Sequence, residues 1–492
     1  MTAVRSSLLP EQIKRMFRGR LITKVKRPLN QLREKCVYTG KSHIFFTPAG
    51  MHSSPYYNNI KLWLTLVAIA ASSAAASAQN MRQRQTEATL LNTKIVSLDR
   101  EQLTQLEKDS ILEEMSVFYY DQFRHFYDPN APYFMFMSRD GELSLGIGGV
   151  VRMREWYEWN GVVPANGLVP YLIPIPEDPA RTRRLSATPS GTSIFMRMIG
   201  KAPKIGDYQL YIEGGFSGYN SRDFKLKKAY ATIRDFTVGY ASSTFSDPVA
   251  QAPNVDAQGT ADKIDNTRML VRYMPTFGDR WTIAISAEYP DKAMMTSDEN
   301  AESTDIWLPD FAAFVQYAWE SNSHVRLAGI IRTMGYRNLI TQTNHDITGW
   351  GIQASAIGTV LDRLTLMGTI NYGHGLGGLT NDLLAGNYDL VADISEPGKV
   401  YAPASLGWDI GIQYNFSPSW FASATISQTR YLPGHEAEGD EYKYGMYADV
   451  NMFYDITPRI RLGAEYGWGL RRNFNGAHRH ADRIGAMVQF SF

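Results

Sequence analysis

The segment RIGAMVQFSF, residues 483–492, alternates without a break. Ile484, Ala486, Val488, Phe490 and Phe492 fall on one side; Arg483, Gly485, Met487, Gln489 and Ser491 fall on the other. A period of two marks a β-strand. One face of this strand is apolar to the last Phe, so that face must be buried in a core or laid against lipid. The rest of the chain decides which.

The same pattern begins at residue 142 and runs to the end. In LSLGIGGVVRM, Leu143, Leu145, Ile147, Val151 and Met153 oppose Ser144, Gly146, Gly148, Val150 and Arg152. WTIAISAEY sets Trp281, Ile283, Ile285, Ala287 and Tyr289 against Thr282, Ala284, Ser286 and Glu288. HVRLAGIIR and RIRLGAEYGWGL, from His324 and Arg459, repeat the arrangement. Sixteen strands are expected near 142–154, 192–201, 207–217, 224–233, 236–245, 267–274, 281–289 and 310–319, then 324–335, 347–358, 363–373, 406–416, 420–431, 442–454, 459–471 and 483–492.

Connections sort by length. Every second one is tight, such as Arg234-Asp235 or Ser417-Pro418-Ser419. The others are mostly long, at about 155–191, 246–266, 290–309, 374–405, 432–441 and 472–482. A soluble sandwich has no reason to sort its loops by side, whereas a membrane barrel has short turns at one end, long loops at the other and an even strand count. Closure satisfies every backbone hydrogen bond in lipid. Strand-end Tyr289, Trp319, Tyr372, Trp420, Tyr454 and Trp468 suit interfacial aromatic girdles. The expected fold is therefore all-β and transmembrane: a 16-stranded antiparallel outer-membrane β-barrel over 141–492. The ending on Phe resembles the signal read by the outer-membrane assembly machinery.

The chain has 492 residues, 28 Tyr, 10 Trp and 40 Gly, and a mean hydropathy of −0.28. After residue 80 no apolar run approaches the ~20 residues of a membrane helix. The formal charge of +1 conceals an asymmetry. Residues 1–78 hold 12 basic and 2 acidic residues, leaving 38 of 50 basic and 47 of 49 acidic residues to the remainder, a net of −9. The single cysteine, Cys36, lies in that leading part, so residues 79–492 offer neither a disulfide nor a thiolate metal site.

From Met51, Lys61, the apolar run Leu62–Ala71 and Ala76-Ser77-Ala78 read as a signal peptide over 51–78, exporting the chain across the inner membrane. The basic residues 1–50 read as an over-extended start. Residues 79–140 are expected to form a short periplasmic helical extension, with Ile95, Leu98, Leu103, Leu106 and Met115 at roughly helical spacing. An amphipathic coiled-coil helix and a plain packing helix fit this pattern equally.

A barrel of sixteen strands leaves an aqueous channel. Period two places Arg152, Arg154, Arg197, Arg268 and Arg272 on the lumen face, with Arg326, Arg332, Arg461 and Lys227 beside them. Acidic lumen candidates are Glu213, Glu288, Asp409, Asp449 and Glu465. Arginine keeps its charge and grips carboxylates with a planar fork, so a column of it favours small anions. The bland alternative is that these charges pair with lumen acids and brace the wall.

The strand LKKAYATI (226–233), then VGYASSTFSDP, then VDAQG resembles the DcaP-like porin family. The resemblance implies a trimeric sixteen-stranded outer-membrane channel with an N-terminal helical extension, associated with dicarboxylates and other small anions. Carried over, Lys227 takes the place of a lumen-facing basic residue, and Asp247 and Asp256 fall in a loop folded inward to narrow the pore. The chain departs from the family where Gly-Gln-Thr-Trp is expected: it has Gly239-Tyr240-Ala241-Ser242.

No Ser finds a His partner by spacing, and no phosphate loop or basic-aromatic strip for nucleic acid is present, so no catalytic residue, metal site or cofactor is expected. His478-Arg479-His480 reads as solvated loop. The expected activity is passive diffusion of small hydrophilic solutes, preferring anions, through a homotrimer in the lipid bilayer of the outer membrane. The alternative is a receptor or adhesion barrel that binds a partner through loops 155–191 and 374–405, with PYLIPIPEDP folded over the mouth or latching a neighbour.

Overall fold

The computed structural model describes residues 94–97, 134–137, 143–202, 204, 206–217, 223–278, 280–320, 323–434 and 437–492. Sixteen barrel strands follow one another in chain order. The first eight are β1 (Leu143–Trp159), β2 (Ser193–Ala202), β3 (Gly206–Ser217), β4 (Asp223–Ile233), β5 (Phe236–Ser242), β6 (Thr267–Tyr273), β7 (Trp281–Glu288) and β8 (Asp310–Glu320). The second eight are β9 (Ser323–Asn338), β10 (Thr343–Leu361), β11 (Leu364–His374), β12 (Ala404–Asn415), β13 (Trp420–Leu432), β14 (Tyr442–Thr457), β15 (Ile460–Asn473) and β16 (His478–Ser491). Each pairs antiparallel with its neighbour in sequence, and β16 returns to β1, setting Ile484 opposite Tyr157 and Phe490 opposite Val151. Gly149 N donates to Phe492 O at 2.7 Å and Phe492 N to Gly149 O at 2.9 Å, so the terminal Phe closes the cylinder.

Polarity is inverted relative to a soluble protein. On β6, Met269 and Val271 are exposed while Arg268 and Arg272 are buried; on β7, Ile283 and Ile285 are exposed while Thr282, Ser286 and Glu288 are buried. Alternate residues of one strand face lipid and lumen. Girdle residues Trp281 and Tyr317 pack at 4.9 Å between ring centroids, and Trp420 and Tyr454 at 4.5 Å.

Several loops are shorter than the sequence suggests. β9 and β10 run on as a hairpin to Asn338 and Thr343. The expected loop 472–482 shrinks because His478–Ala481 continue the ladder with β15. Within 155–191, β1 continues to Trp159 and pairs with Arg183–Thr188. His478-Arg479-His480 accordingly lies on a strand, and Arg479 Nη1 pairs with Glu177 at 2.7 Å.

In the region expected to be helical, the described residues are strands. Phe134–Met137 pair antiparallel with Ser144–Ile147 of β1, and Lys94–Ser97 pair parallel with Phe134–Met137. Open backbone donors on β1, beyond the reach of β16, draw this segment into the sheet. The rest of that expected helix, the signal peptide and the early start lie outside the described residues.

The core sits inside the cylinder and is built largely from loops. Phe245 and Ile264 pack with wall residues Phe314 and Ile330 and with Leu376 and Leu379. Val163, Leu168 and Ile173 pack on Tyr447 and Ala481.

Candidate functional site

The segment between β5 and β6, residues 243–266, runs as a strap along the inner wall. It leaves β5 through Ser243 Oγ and Thr244 N, which donate to Glu288 at 2.7 and 2.8 Å. Asp247 meets His324 Nε2 at 2.9 Å and Ser355 Oγ at 2.5 Å, and Arg326 Nη1 donates to Ser246 O at 2.8 Å. The chain then passes β12, where Gln251 Nε2 donates to Asp409 at 3.2 Å, and reaches β14 and β15. There Val255 N and Asp256 N each donate to Glu465 at 2.8 Å.

The strap turns at Asp256, whose Oδ1 accepts from Gln258 N at 2.7 Å and Gly259 N at 3.1 Å. Gly259 has φ +84°, a left-handed conformation that glycine adopts freely. On the return, Ala261 N donates to Ser427 Oγ at 3.0 Å, Thr369 Oγ1 donates to Asp262 at 2.9 Å, and Asn266 Nδ2 donates to Leu379 O at 3.1 Å. The strap therefore goes from β9 around to β15 and comes back, covering that half of the wall. Wall glycines make its bed: a Cβ at Gly411 would lie 2.8 Å from Ala252 Cβ, and one at Gly463 2.9 Å from Val255.

The expected basic residues are on the lumen face, and most are held by wall or strap. Arg268 pairs with Asp310 at 2.5 Å; Arg332 pairs with the same Asp310 at 3.3 Å and with Asp389 at 2.6 Å. Arg326 lies 3.6 Å from Asp247 and stacks over Phe314. Lys227 pairs with Glu213 at 3.0 Å and Arg461 with Asp455 at 2.6 Å. Arg152 donates to Gln489 at 2.6 Å, Arg154 to Ser190 O at 2.6 Å and Arg272 to Ser242 O at 3.0 Å; Arg197 stacks over Tyr211. The alternation located these side chains, while the bracing reading describes their contacts better than a free column does.

Sequence reasoning passed over a central residue, Arg483. Its Nη2 pairs with Glu158 at 2.5 Å and its Nη1 with Asp256 at 2.6 Å, joining β1, β16 and the strap. Its position opposite Ile484 in the terminal alternation was the available signal. Asp310 sits at a loop-strand boundary and Asp389 inside the expected loop 374–405, where period two gives no orientation.

Arg152, Arg154, Arg197, Arg268 and Arg272 belong to β1, β2 and β6, outside the strap's path, with Glu158, Glu288 and Asp310 of β1, β7 and β8 among them. Asp409, Asp449 and Glu465 belong to β12, β14 and β15, beneath it, with Arg326 and Arg332 of β9 at its start. Within the strap, burial pushes the Asp247 carboxyl up, but Arg326 and His324 outweigh it and hold the group below the usual carboxylate range.

A closed sixteen-stranded barrel with a loop folded along its inner wall is the architecture of an outer-membrane porin-type channel. Among solved structures, the chain is similar to the outer membrane channel DcaP of Acinetobacter baumannii, with 18% identity and a TM-score of 0.62 over 73% of this chain and 99% of that one. It is also similar to the anion-selective porin from Comamonas acidovorans, with 10% identity and a TM-score of 0.48 over 71% of this chain and 100% of that one. OmpT of Vibrio cholerae, lacking its loop L8, matches with 12% identity and a TM-score of 0.47 over 71% of this chain and 100% of that one. No family model and no curated protein matches the chain. The resemblance drawn from residues 226–259 and the structural likeness to DcaP thus agree on the fold.

Proposed function

We propose that the chain is an outer-membrane porin through which small hydrophilic solutes diffuse passively, with a preference for anions such as dicarboxylates. One observation supports this reading: Arg152, Arg154, Arg197, Arg268 and Arg272 share the lumen face of β1, β2 and β6, outside the strap's path. A permeating anion then meets guanidinium groups on that side, while strap donors engage Glu465 and one oxygen of Asp409 on the other. Exported through its signal peptide and assembled as a homotrimer by the outer-membrane machinery, the protein needs no cofactor and performs no chemistry. Asp247 and Asp256 act in this reading as anchors of the constriction.

Planar-bilayer recording under a salt gradient tests it. Wild type should give a steady current with an anion-selective reversal potential. Arg268→Ser with Arg272→Ser should move that potential toward cations, and an unchanged value would count against selection by these arginines. A chain that inserts but carries no current would favour the receptor reading. Against that reading stands the inward packing of Val169 and Ile173 on the barrel interior, in the loop expected to reach a partner.

A further inference from the structure

Most buried carboxylates of the interior face a cation or a ring of donors. Asp247 has Arg326 and His324; Asp256 and Glu158 have Arg483; Asp310 and Asp389 have Arg332. One pair differs. On β11 and β12, Thr369 lies opposite Asp409 and Asn371 opposite Gly407, all on the lumen face. The return arm of the strap lays Asp262 directly on this patch: a Cβ at Gly407 would fall 2.7 Å from Asp262 Cβ and 2.7 Å from Asn371 Oδ1.

Thr369 Oγ1 is 2.9 Å from Asp262 Oδ2 and also within hydrogen-bond reach of Asp409 Oδ2. A hydroxyl carries one proton, so it can serve only one of these oxygens at a time. Gln251 Nε2 at 3.2 Å assists Asp409; Asn371 Nδ2 is 3.2 Å from Asp262 O and 3.5 Å from its Oδ2. Asp262, Asn371 and Asp409 have fractional exposures of 0%, 1% and 2%. Yet Asp262 Oδ1, Asp409 Oδ1 and Asn371 Oδ1 meet no donor. Among the described residues no Lys, Arg or His forms an ion pair with either carboxylate.

Two buried carboxyl groups and three idle acceptor oxygens therefore occupy one patch. Burying such groups uncompensated is unfavourable, and an idle buried acceptor points to an ion or water that completes it. A single shared proton supplies one donor for three acceptors and still leaves one charge. A small cation that takes only oxygen ligands satisfies both the charge and the acceptors.

We propose that Asp262, Asp409, Asn371 and Thr369 form a site for one hard divalent cation of the calcium class, which fastens the return arm of the strap to the barrel wall. Two carboxyls are too few donors for such an ion, so in this proposal the neutral amide and hydroxyl oxygens of Asn371 and Thr369 complete the set. The site concerns how the strap is anchored, and it stands or falls separately from whether the channel prefers anions.

The test uses the full chain refolded in detergent without lipopolysaccharide, at pH 8. Calcium should protect residues 243–266 from limited proteolysis, and at ten times its dissociation constant cleavage through the undocked strap should slow about tenfold. Terbium(III) should luminesce when bound and be displaced by calcium. Asp262→Asn with Asp409→Asn should abolish both responses while retaining the folded barrel's gel mobility. Identical cleavage in calcium and in chelator would overturn the proposal, as would calcium protection that survives in the double variant. Wild-type protection that follows pH between 5 and 8 but ignores calcium would assign the pair a proton and also overturn it.

Discussion

The strap and the mouth loops both fill the interior, but different forces hold them. Residues 243–266 are fixed by directional polar contacts: Asp247 to His324 and Arg326, Asp256 to Arg483, Val255 N to Glu465. Residues 160–182 and 375–403 add a large aromatic area to a few polar anchors such as Asp389 with Arg332 and Asp382 with Tyr442. Tyr171 meets Tyr388 at 5.9 Å and Tyr442 at 5.1 Å between centroids, and Tyr388 meets Tyr431 at 4.7 Å. A charge-held segment has one position, because its hydrogen bonds fix distance and angle. An area-held segment can shift and lose energy by degrees. The element that narrows a channel needs the first property; a lining of the mouth can do with the second.

The comparison breaks most sharply at Arg483. Replacing it with Ala leaves the buried Asp256 carboxylate without its cation, while Glu158 keeps Arg184 at 2.8 Å. Removing one partner from such a buried network costs about 3–5 kcal/mol. Thermal melts in detergent should show the loss, and proteolysis should find the turn at residues 256–259 opened. A variant as stable as wild type would mean that the strap is held by area too.

Acid sharpens the comparison. Burial pushes the Asp382 carboxyl in the mouth loop up to about 6 from an ordinary 3.8, despite the Tyr442 hydroxyl and the Tyr171 N–H at 2.7 Å. Protonated, it can donate to the Tyr442 oxygen while that hydroxyl donates to Thr429 O at 3.1 Å. A raised pKa means that the protonated form favours the packed state. The stabilisation is complete below the ordinary value and fades as pH rises from about 4 to about 6, by roughly 3 kcal/mol. Asp247 has the opposite sign: its contribution holds above the ordinary value and is lost as pH falls below it. Cleavage of 375–403 should thus slow between pH 7 and pH 5 in wild type. Asp382→Asn should abolish this dependence, and a pH response retained by that variant would place its origin elsewhere.

Much of the fold was legible because period two is a local signal repeated sixteen times. Ile283, Ile285 and Val271 declared the lipid face one strand at a time, and loop lengths assigned the ends. The inward course of 246–266 was legible only through resemblance, since Pro248, Pro253 and Gly259 mark a loop without saying where it goes. What could not be read is pairing across the lumen. Arg268 and Asp310 are 42 residues apart and Arg483 and Asp256 are 227 apart, and such partners are set by barrel closure, which no local pattern encodes. The same limit hid the tyrosine cluster, since Tyr171, Tyr388 and Tyr442 belong to different loops and strands that meet only when the barrel is closed.

A smaller change probes how closely the strap is fitted. Gly407→Ala sets a methyl group 2.7 Å from both Asp262 Cβ and Asn371 Oδ1, against a wall strand that cannot retreat. Overpacking of this kind costs about 1–3 kcal/mol. If the strap has one position, it should lift along residues 260–263 and cleave faster there, while the melting of the barrel changes little. If it slides instead, neither measurement moves.

The least effect is expected in the mouth, where area dominates. Tyr431 and Tyr401 share a hydrogen bond between their hydroxyls at 3.1 Å, and Tyr431 also packs on Tyr388 and Phe474. Tyr431→Phe removes that hydroxyl and keeps the ring. The net loss should be about 1 kcal/mol, as for an ordinary neutral hydrogen bond, and the single-channel current should not change. Tyr431→Ala should cost more, because it removes the ring and leaves a cavity. The two variants together separate hydroxyl from ring: equal losses would make the mouth as directional as the strap, while the expected inequality keeps their distinction.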